Sequence, residues 1–220
     1  MNREAVKPCR VKICGITSLE DARYAAELGA DALGLVFYDK SPRNLNIKQA
    51  LEIYQVIPPF VTVVGLFLDA RQAFVEDVLA DVPLDLLQFH GSESPEFCSG
   101  FARPYIKAVG MQGIITSGGF AAYADQHTEA RGLLLDSHVP GAAGGTGKVF
   151  DWSLTPQDYH KPVILAGGLH AGNIAEALRT PGVYAVDVST GVESAPGVKD
   201  HAKMAAFMRA VRMAEYGLEL

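Results

Sequence analysis

Four side chains in this sequence have the chemistry to move a proton or grip an anion, and each stands at or just beyond a short apolar run: Cys14 in VKICGIT, Arg43 in DKSPRNL, His90 in QFHGSE and Asp136 in GLLLDS. A thiol with a pKa of about 8.5 is only a few per cent thiolate near neutrality, so Cys14 serves as a general base only where a cation raises that fraction. Lys12 lies two residues earlier and shares a side of the same extended segment, and Gly15 lets the chain turn beyond the sulfur. The competing reading of Cys14 is a small buried hydrophobe. Asp136 either caps a loop or acts as a general acid, which requires a pKa about three units above the aspartate reference. Arg43 is either a solvated bystander or a guanidinium fork for a carboxylate. His90 suits assistance to an acid, a sugar hydroxyl, or a purely structural place.

Two further segments, LAGGLHAGN and DVSTGVE, place glycine and small hydroxyl residues straight after apolar runs. Gly167, Gly168 and the stretch from Asp187 through Ser189 and Thr190 to Gly191 would let backbone N–H groups approach an anion closely, which points to phosphate binding. The run GAAGGTGK looks like a nucleotide phosphate loop, but Val149 stands where Ser or Thr would hold magnesium. A mobile cover over Pro140 to Phe150, anchored by Asp151 and Trp152, is the better expectation.

The elements that must carry these residues alternate along the chain. Strands are expected near Val11–Cys14, Ala32–Phe37, Val61–Leu68, Leu84–Phe89, Tyr105–Val109, Gly132–Leu135, Val163–Ala166 and Tyr184–Val188. They read as solid apolar blocks, the mark of parallel strands covered on both faces. Helical patterns lie between them. Phe74, Val78 and Val82 recur every four residues, and Met204, Phe207, Met208 and Val211 follow helical spacing. Ser18 is placed to cap the first helix with Asp21 as a weak partner, and Gly29 and Gly182 mark helix ends. Eight β-then-α units with short joins imply an α/β fold, a single (β/α)8 TIM barrel filling residues 1–220 as one domain. An open doubly wound sheet is the alternative, but its nucleotide fingerprint is missing after the first strand. In such a barrel the active site gathers at the C-terminal ends of the strands and the loops that follow, where Cys14, Arg43, His90, Asp136, Gly167–Gly168 and Asp187 to Gly191 fall.

Composition narrows the partners. The formal charge of -6 argues against nucleic acid or a membrane surface, both anionic, while leaving room for a small anionic substrate. The longest aliphatic run, Val61 to Leu68, is too short to span a bilayer, and the opening residues lack the apolar block of a secretory signal. Cys9, Cys14 and Cys98 are odd in number without metal-like spacing, so neither a disulfide framework nor a metal site is expected, and a cytoplasmic setting is the simplest. Monomer and homodimer stay open.

The blocks KICGIT, GLVF…SPR, QFHG, LLLDS followed by GGTGKVFDW, LAGGL…N and DVSTGVE…PGVKD together resemble the phosphoribosylanthranilate isomerases in order and spacing, over nearly the whole chain. The resemblance implies an Amadori rearrangement of N-(5-phosphoribosyl)anthranilate in tryptophan biosynthesis, with no metal or organic cofactor. It makes Asp136 the acid and Cys14 the base, gives Arg43 the anthranilate carboxylate, and places His90 and Asp187 near the sugar. Gly167, Gly168, Ser189, Thr190 and Gly191 would hold the phosphate. Two departures from the family pattern are Thr190, where DVSSGVE is usual, and HAGN in place of a commoner proline-containing segment. The rival readings are the analogous isomerase of histidine biosynthesis, which resembles a two-aspartate site, and a non-catalytic barrel that binds a phosphorylated ligand.

Overall fold

The computed structural model describes residues 8–113, 117–137, 149–157 and 159–217. Eight parallel strands close into a barrel in sequence order: β1 (Arg10–Cys14), β2 (Ala32–Phe37), β3 (Thr62–Phe67), β4 (Leu86–Phe89), β5 (Tyr105–Gly110), β6 (Leu133–Asp136), β7 (Val163–Leu165) and β8 (Val183–Val188). Each expected strand is present, with ends shifted by at most two residues at most positions and β2 matching throughout. The helices are α1 (Leu19–Glu27), α2 (Ile47–Tyr54), α3 (Gln72–Asp81), α4 (Pro95–Ser99), α5 (Ser117–Ala124), α6 (Ile174–Ala177) and α7 (His201–Glu215). Between β6 and β7 the described residues hold only a 3₁₀ turn, Trp152–Leu154, capped by Asp151. A short antiparallel pair unforeseen from sequence, β9 (Glu193–Ala195) and β10 (Val198–Lys199), follows β8. No described helix is long and apolar enough to cross a membrane.

Solid apolar strands arise because both faces are covered. One set of alternate residues joins the large layer between sheet and helices, including Ile13, Leu33, Phe67, Leu87 and Val186. The other set fills the barrel with smaller residues: Ile106, Ala108, Leu134, Ile164, Ala166 and Ala185. Period two then continues up each strand, and the interior set ends in polar residues at the C-terminal rim. Lys12 and Asp187 are register partners there, as are Cys14 and Gly34.

Local signals explain the helix ends. Ser18 accepts a hydrogen bond from the Asp21 backbone at 3.1 Å. The Asp21 carboxylate does not return to the cap; it meets His201 Nε2 at 3.0 Å, so the box is only half formed. Gly29 has φ of 84°, and bonds from Gly29 N to Ala26 O and from Ala30 N to Ala25 O close α1 in a Schellman motif. Gly182 also has positive φ, but α6 has ended at Leu178, and this glycine turns the chain into β8 against Pro156 O. The period-four reading of α3 was one residue out at its start. Val75, Val78 and Val82 form the buried stripe, while Phe74 sits at the margin with its ring edge-on to Phe67. All four apolar positions read in α7 are buried.

Candidate active site

The interior rim residues of β1 and β8 build the floor. Lys12 Nζ donates to Asp187 Oδ1 at 2.9 Å, with both side chains more than nine-tenths buried. Cys14 is buried one step higher. Its sulfur has room because Gly34 lies beside it: a Cβ at position 34 would come within 2.7 Å of Sγ. Burial pushes the Cys14 thiol up from its ordinary value; Lys12 pulls it down and Asp187 pushes it up again. Burial alone would lower the Lys12 ammonium, but Asp187 and Cys14 outweigh it and hold it above its ordinary value. The cation expected from spacing is therefore present, yet it is shared with a carboxylate, and the Cys14 thiol stays above its ordinary value.

The opposite wall comes from β4 and β6. Asp136 ends β6; its Oδ1 accepts from the Ser137 backbone N–H at 2.6 Å, and its Oδ2 faces His90 Nε2 at 3.2 Å. Gln88, two residues before His90 on the interior face, brings its amide nitrogen within 2.9 Å of His90 Nδ1. With the amide donating, the imidazole carries its hydrogen on Nε2, toward Asp136. Behind this loop Lys107 is fully buried and donates to Gly91 O at 2.6 Å and Glu93 Oε2 at 2.8 Å. Glu93 in turn accepts from the backbones of Asp69 and Gly91, so the loop carrying His90 is tied to both neighbouring strands.

Arg43 completes the rim from the loop after β2. Its Nε and Nη2 each donate to Glu193 at 2.7 Å, a two-bonded fork to a carboxylate of the chain itself. Glu193 also accepts from Lys199 Nζ at 2.9 Å. Burial opposes the Glu193 charge, but Arg43 and Lys199 hold its carboxyl below the usual range. Gly15, with φ of 76°, leaves no Cβ in the path of the Arg43 side chain.

The two glycine loops meet each other. Gly167 and Gly168 have φ of 80° and 66°, and a Cβ on Gly167 would stand within 2.7 Å of Asp136 Oδ1. Asn173 Nδ2 donates to Gly168 O at 3.0 Å and closes the first loop. Gly191 packs directly on Leu169 O, and Thr190 Oγ1 lies 3.4 Å from Arg43 Nη2. Cys14, Arg43, His90, Asp136, Asp187 and Ser189 line one cavity. Gly167, Gly168, Thr190 and Gly191 do not line it, and stand on the adjoining loops. The glycine-rich cover expected over Pro140 to Phe150 falls, apart from its last two residues, outside the described residues.

Sequence reasoning missed Gln88, Gly34, Glu193 and Lys199. The period-two spacing from His90 was enough to find Gln88. Glu193 and Lys199 stood in a quoted block, but their meeting depends on the β9–β10 pair, which no periodicity announced.

The model of the N-(5′-phosphoribosyl)anthranilate (PRA) isomerase family matches residues 11–210. The chain belongs to the phosphoribosylanthranilate isomerase family. An N-(5′-phosphoribosyl)anthranilate isomerase of Pseudomonas putida is 54% identical over 205 residues, covering 93% of this chain and 98% of the relative. The solved phosphoribosylanthranilate isomerase of Thermotoga maritima superposes with a TM-score of 0.83 at 40% identity, over 93% of this chain and 98% of that one. Another solved isomerase of the family, bound to reduced 1-(o-carboxyphenylamino)-1-deoxyribulose 5-phosphate, gives a TM-score of 0.80 at 38% identity, with the same coverage. The TIM barrel and the isomerase reading of the sequence both stand on these matches.

Proposed function

We propose that this barrel converts N-(5′-phosphoribosyl)anthranilate to 1-(2-carboxyphenylamino)-1-deoxyribulose 5-phosphate, the Amadori step of tryptophan biosynthesis. The observation that carries the reading is the presence of Cys14 and Asp136 in the lining of one cavity, Cys14 above the Lys12 cation and Asp136 beside the His90 imidazole. Asp136 gives its proton to the ring oxygen as the C1′–O bond breaks, leaving a Schiff base between C1′ and the anthranilate nitrogen. His90, 3.2 Å away, then donates to the new carboxylate. Cys14, as thiolate, takes the C2′ proton; the C–H electron pair forms the C1′–C2′ double bond of an enolamine, which tautomerises to the ketone. Lys12 stabilises the thiolate and Asp187 holds Lys12 in place.

Arg43 receives the anthranilate carboxylate through Nη1, since Nε and Nη2 are held by Glu193. The phosphate lies between the loops of Gly167–Gly168 and Ser189–Gly191, with Thr190 keeping the hydroxyl and N–H that the more usual serine supplies. The activity rests on one barrel domain of residues 1–220, in the cytoplasm, as monomer or homodimer, without metal or organic cofactor. A two-aspartate isomerase does not suit the first strand end, where Cys14 stands. Mixing the purified protein with freshly made phosphoribosylanthranilate and following loss of its anthranilate fluorescence tests the reading. Acceleration over spontaneous decay is expected, and none would refute it.

A further inference from the structure

Arg43 is held by the chain before any substrate arrives. Its Nε and Nη2 edge is occupied by Glu193, and among the described residues Nη1 makes no hydrogen bond. The Glu193 carboxylate is shared: Lys199 Nζ lies 2.9 Å from the same Oε1 that accepts from Arg43 Nε. Lys199 also reaches Ser189, its Nζ 3.2 Å from the backbone oxygen and 3.5 Å from Oγ. The Lys199 and Glu193 side chains are 0% and 3% exposed and that of Arg43 12%. Two cations and one anion thus lie in the wall between the loop that carries Arg43 and the loop that carries Ser189 and Thr190. Well-packed apolar side chains of similar volume would often hold such a wall as well or better, so stability alone does not account for the charges.

We propose that Glu193 is a positioning residue that, with Lys199, sets the spacing and direction of the two anion-binding ends of the site. Glu193 turns the guanidinium so that its Nη1 edge meets the incoming carboxylate, and Lys199 ties the same carboxylate to Ser189. The substrate class favoured is a ligand with two anionic ends at one fixed separation. This rests on the assignment of the anthranilate carboxylate to Arg43.

The test measures competitive inhibition by reduced 1-(o-carboxyphenylamino)-1-deoxyribulose 5-phosphate and by its phenylamino counterpart lacking the carboxylate. The wild-type enzyme should prefer the carboxylate-bearing inhibitor; no preference would refute the Arg43 assignment itself. In Glu193→Gln the preference should shrink about tenfold, with KM rising and kcat changing little, since charge-assisted bonds to a bound carboxylate are of that size. Glu193→Gln leaves two cations side by side, so the paired variant Glu193→Gln/Lys199→Gln, which removes one charge of each sign, guards against failure to fold. It should lose the preference to a similar degree. A wild-type preference that survives in either folded variant, or equal weakening of both inhibitors, would overturn the positioning role and leave the Arg43 assignment intact.

Discussion

Burial works against Cys14 in its proposed role as base and Lys12 works for it, so the proposed mechanism depends on how the two balance. The thiol lies above its ordinary value, first through desolvation and then through Asp187, with Lys12 pulling the other way. Removing Lys12 as Lys12→Met takes away the largest influence favouring thiolate and leaves Asp187 unpaired beside it, so the thiol should rise further. The rising limb of kcat/KM with pH should then move to higher pH, and alkylation of Cys14 by iodoacetamide should move with it, with Cys14→Ala as the blank for Cys9 and Cys98. A limb that stays in place would mean that Cys14 is not the base. Cys14→Ala and Asp136→Asn should each lower kcat by about 10²–10⁴-fold with modest change in KM, because in the proposed mechanism each moves a proton in the transition state. Much of this was readable from residue types alone. Period two put Lys12 beside Cys14, and strand ends selected Asp136, Arg43 and His90. What could not be read was the sharing of charge: Lys12 with Asp187, Arg43 with Glu193. Both pairs join residues far apart in sequence, where spacing carries no information.

At the scale of elements, the glycines that matter are those that let one element approach another's reacting group. Gly34 on β2 faces Cys14 on β1, and Gly167 beyond β7 faces Asp136 at the end of β6 and Ser137 just beyond it. A methyl at either site collides with a proposed catalytic residue, Cys14 or Asp136, rather than with inert core. Gly34→Ala would meet Cys14 Sγ at 2.7 Å and Cys14 Cα at 3.0 Å. It should lose about 1–3 kcal/mol of stability through overpacking, and lower kcat as Sγ is displaced. Gly167→Ala adds a backbone conformation that L residues rarely adopt, φ of 80°, to a clash with Ser137 N. It should cost about 1–3 kcal/mol and also depress kcat. Urea unfolding and steady-state kinetics on each variant check these outcomes; a Gly167→Ala enzyme with wild-type kcat would show that Asp136 tolerates the shift. The strands were legible because each is a solid apolar block, and α7 because its stripe, Met204, Phe207, Met208 and Val211, runs over about two turns at helical spacing. The β9–β10 pair was not, since two- and three-residue strands carry no periodicity. Nor was the true stripe of α3, where Phe74 satisfied the pattern but Val75 is the residue that faces inward.

Across the whole molecule, acid should destabilise the fold before it reaches the carboxylates. His127, beyond α5 and not among the residues that line the site cavity, is buried, and its pKa is lowered from 6.5 to about 4, first by desolvation and then by the nearby Lys107 cation. The unfolded chain, with an ordinary histidine, binds a proton as pH falls through 6.5 while the folded chain refuses it until about 4. Unfolding therefore takes up protons in that window, and stability declines as pH is lowered across it. Below about 4 both states are protonated and this residue adds no further loss. Glu193 acts next: its carboxyl is held below the ordinary 4.5, so its contribution is complete above that value and is lost as pH falls below it. The losses follow in sequence, the buried neutral imidazole first and the carboxylate of the Arg43–Lys199 cluster after it. His127→Gln removes the first titration without touching the second. Its urea midpoint should vary less than wild type between pH 6.5 and 4.5 and then fall in parallel below that range. An equally steep decline in the variant across the upper window would assign the proton uptake to other groups.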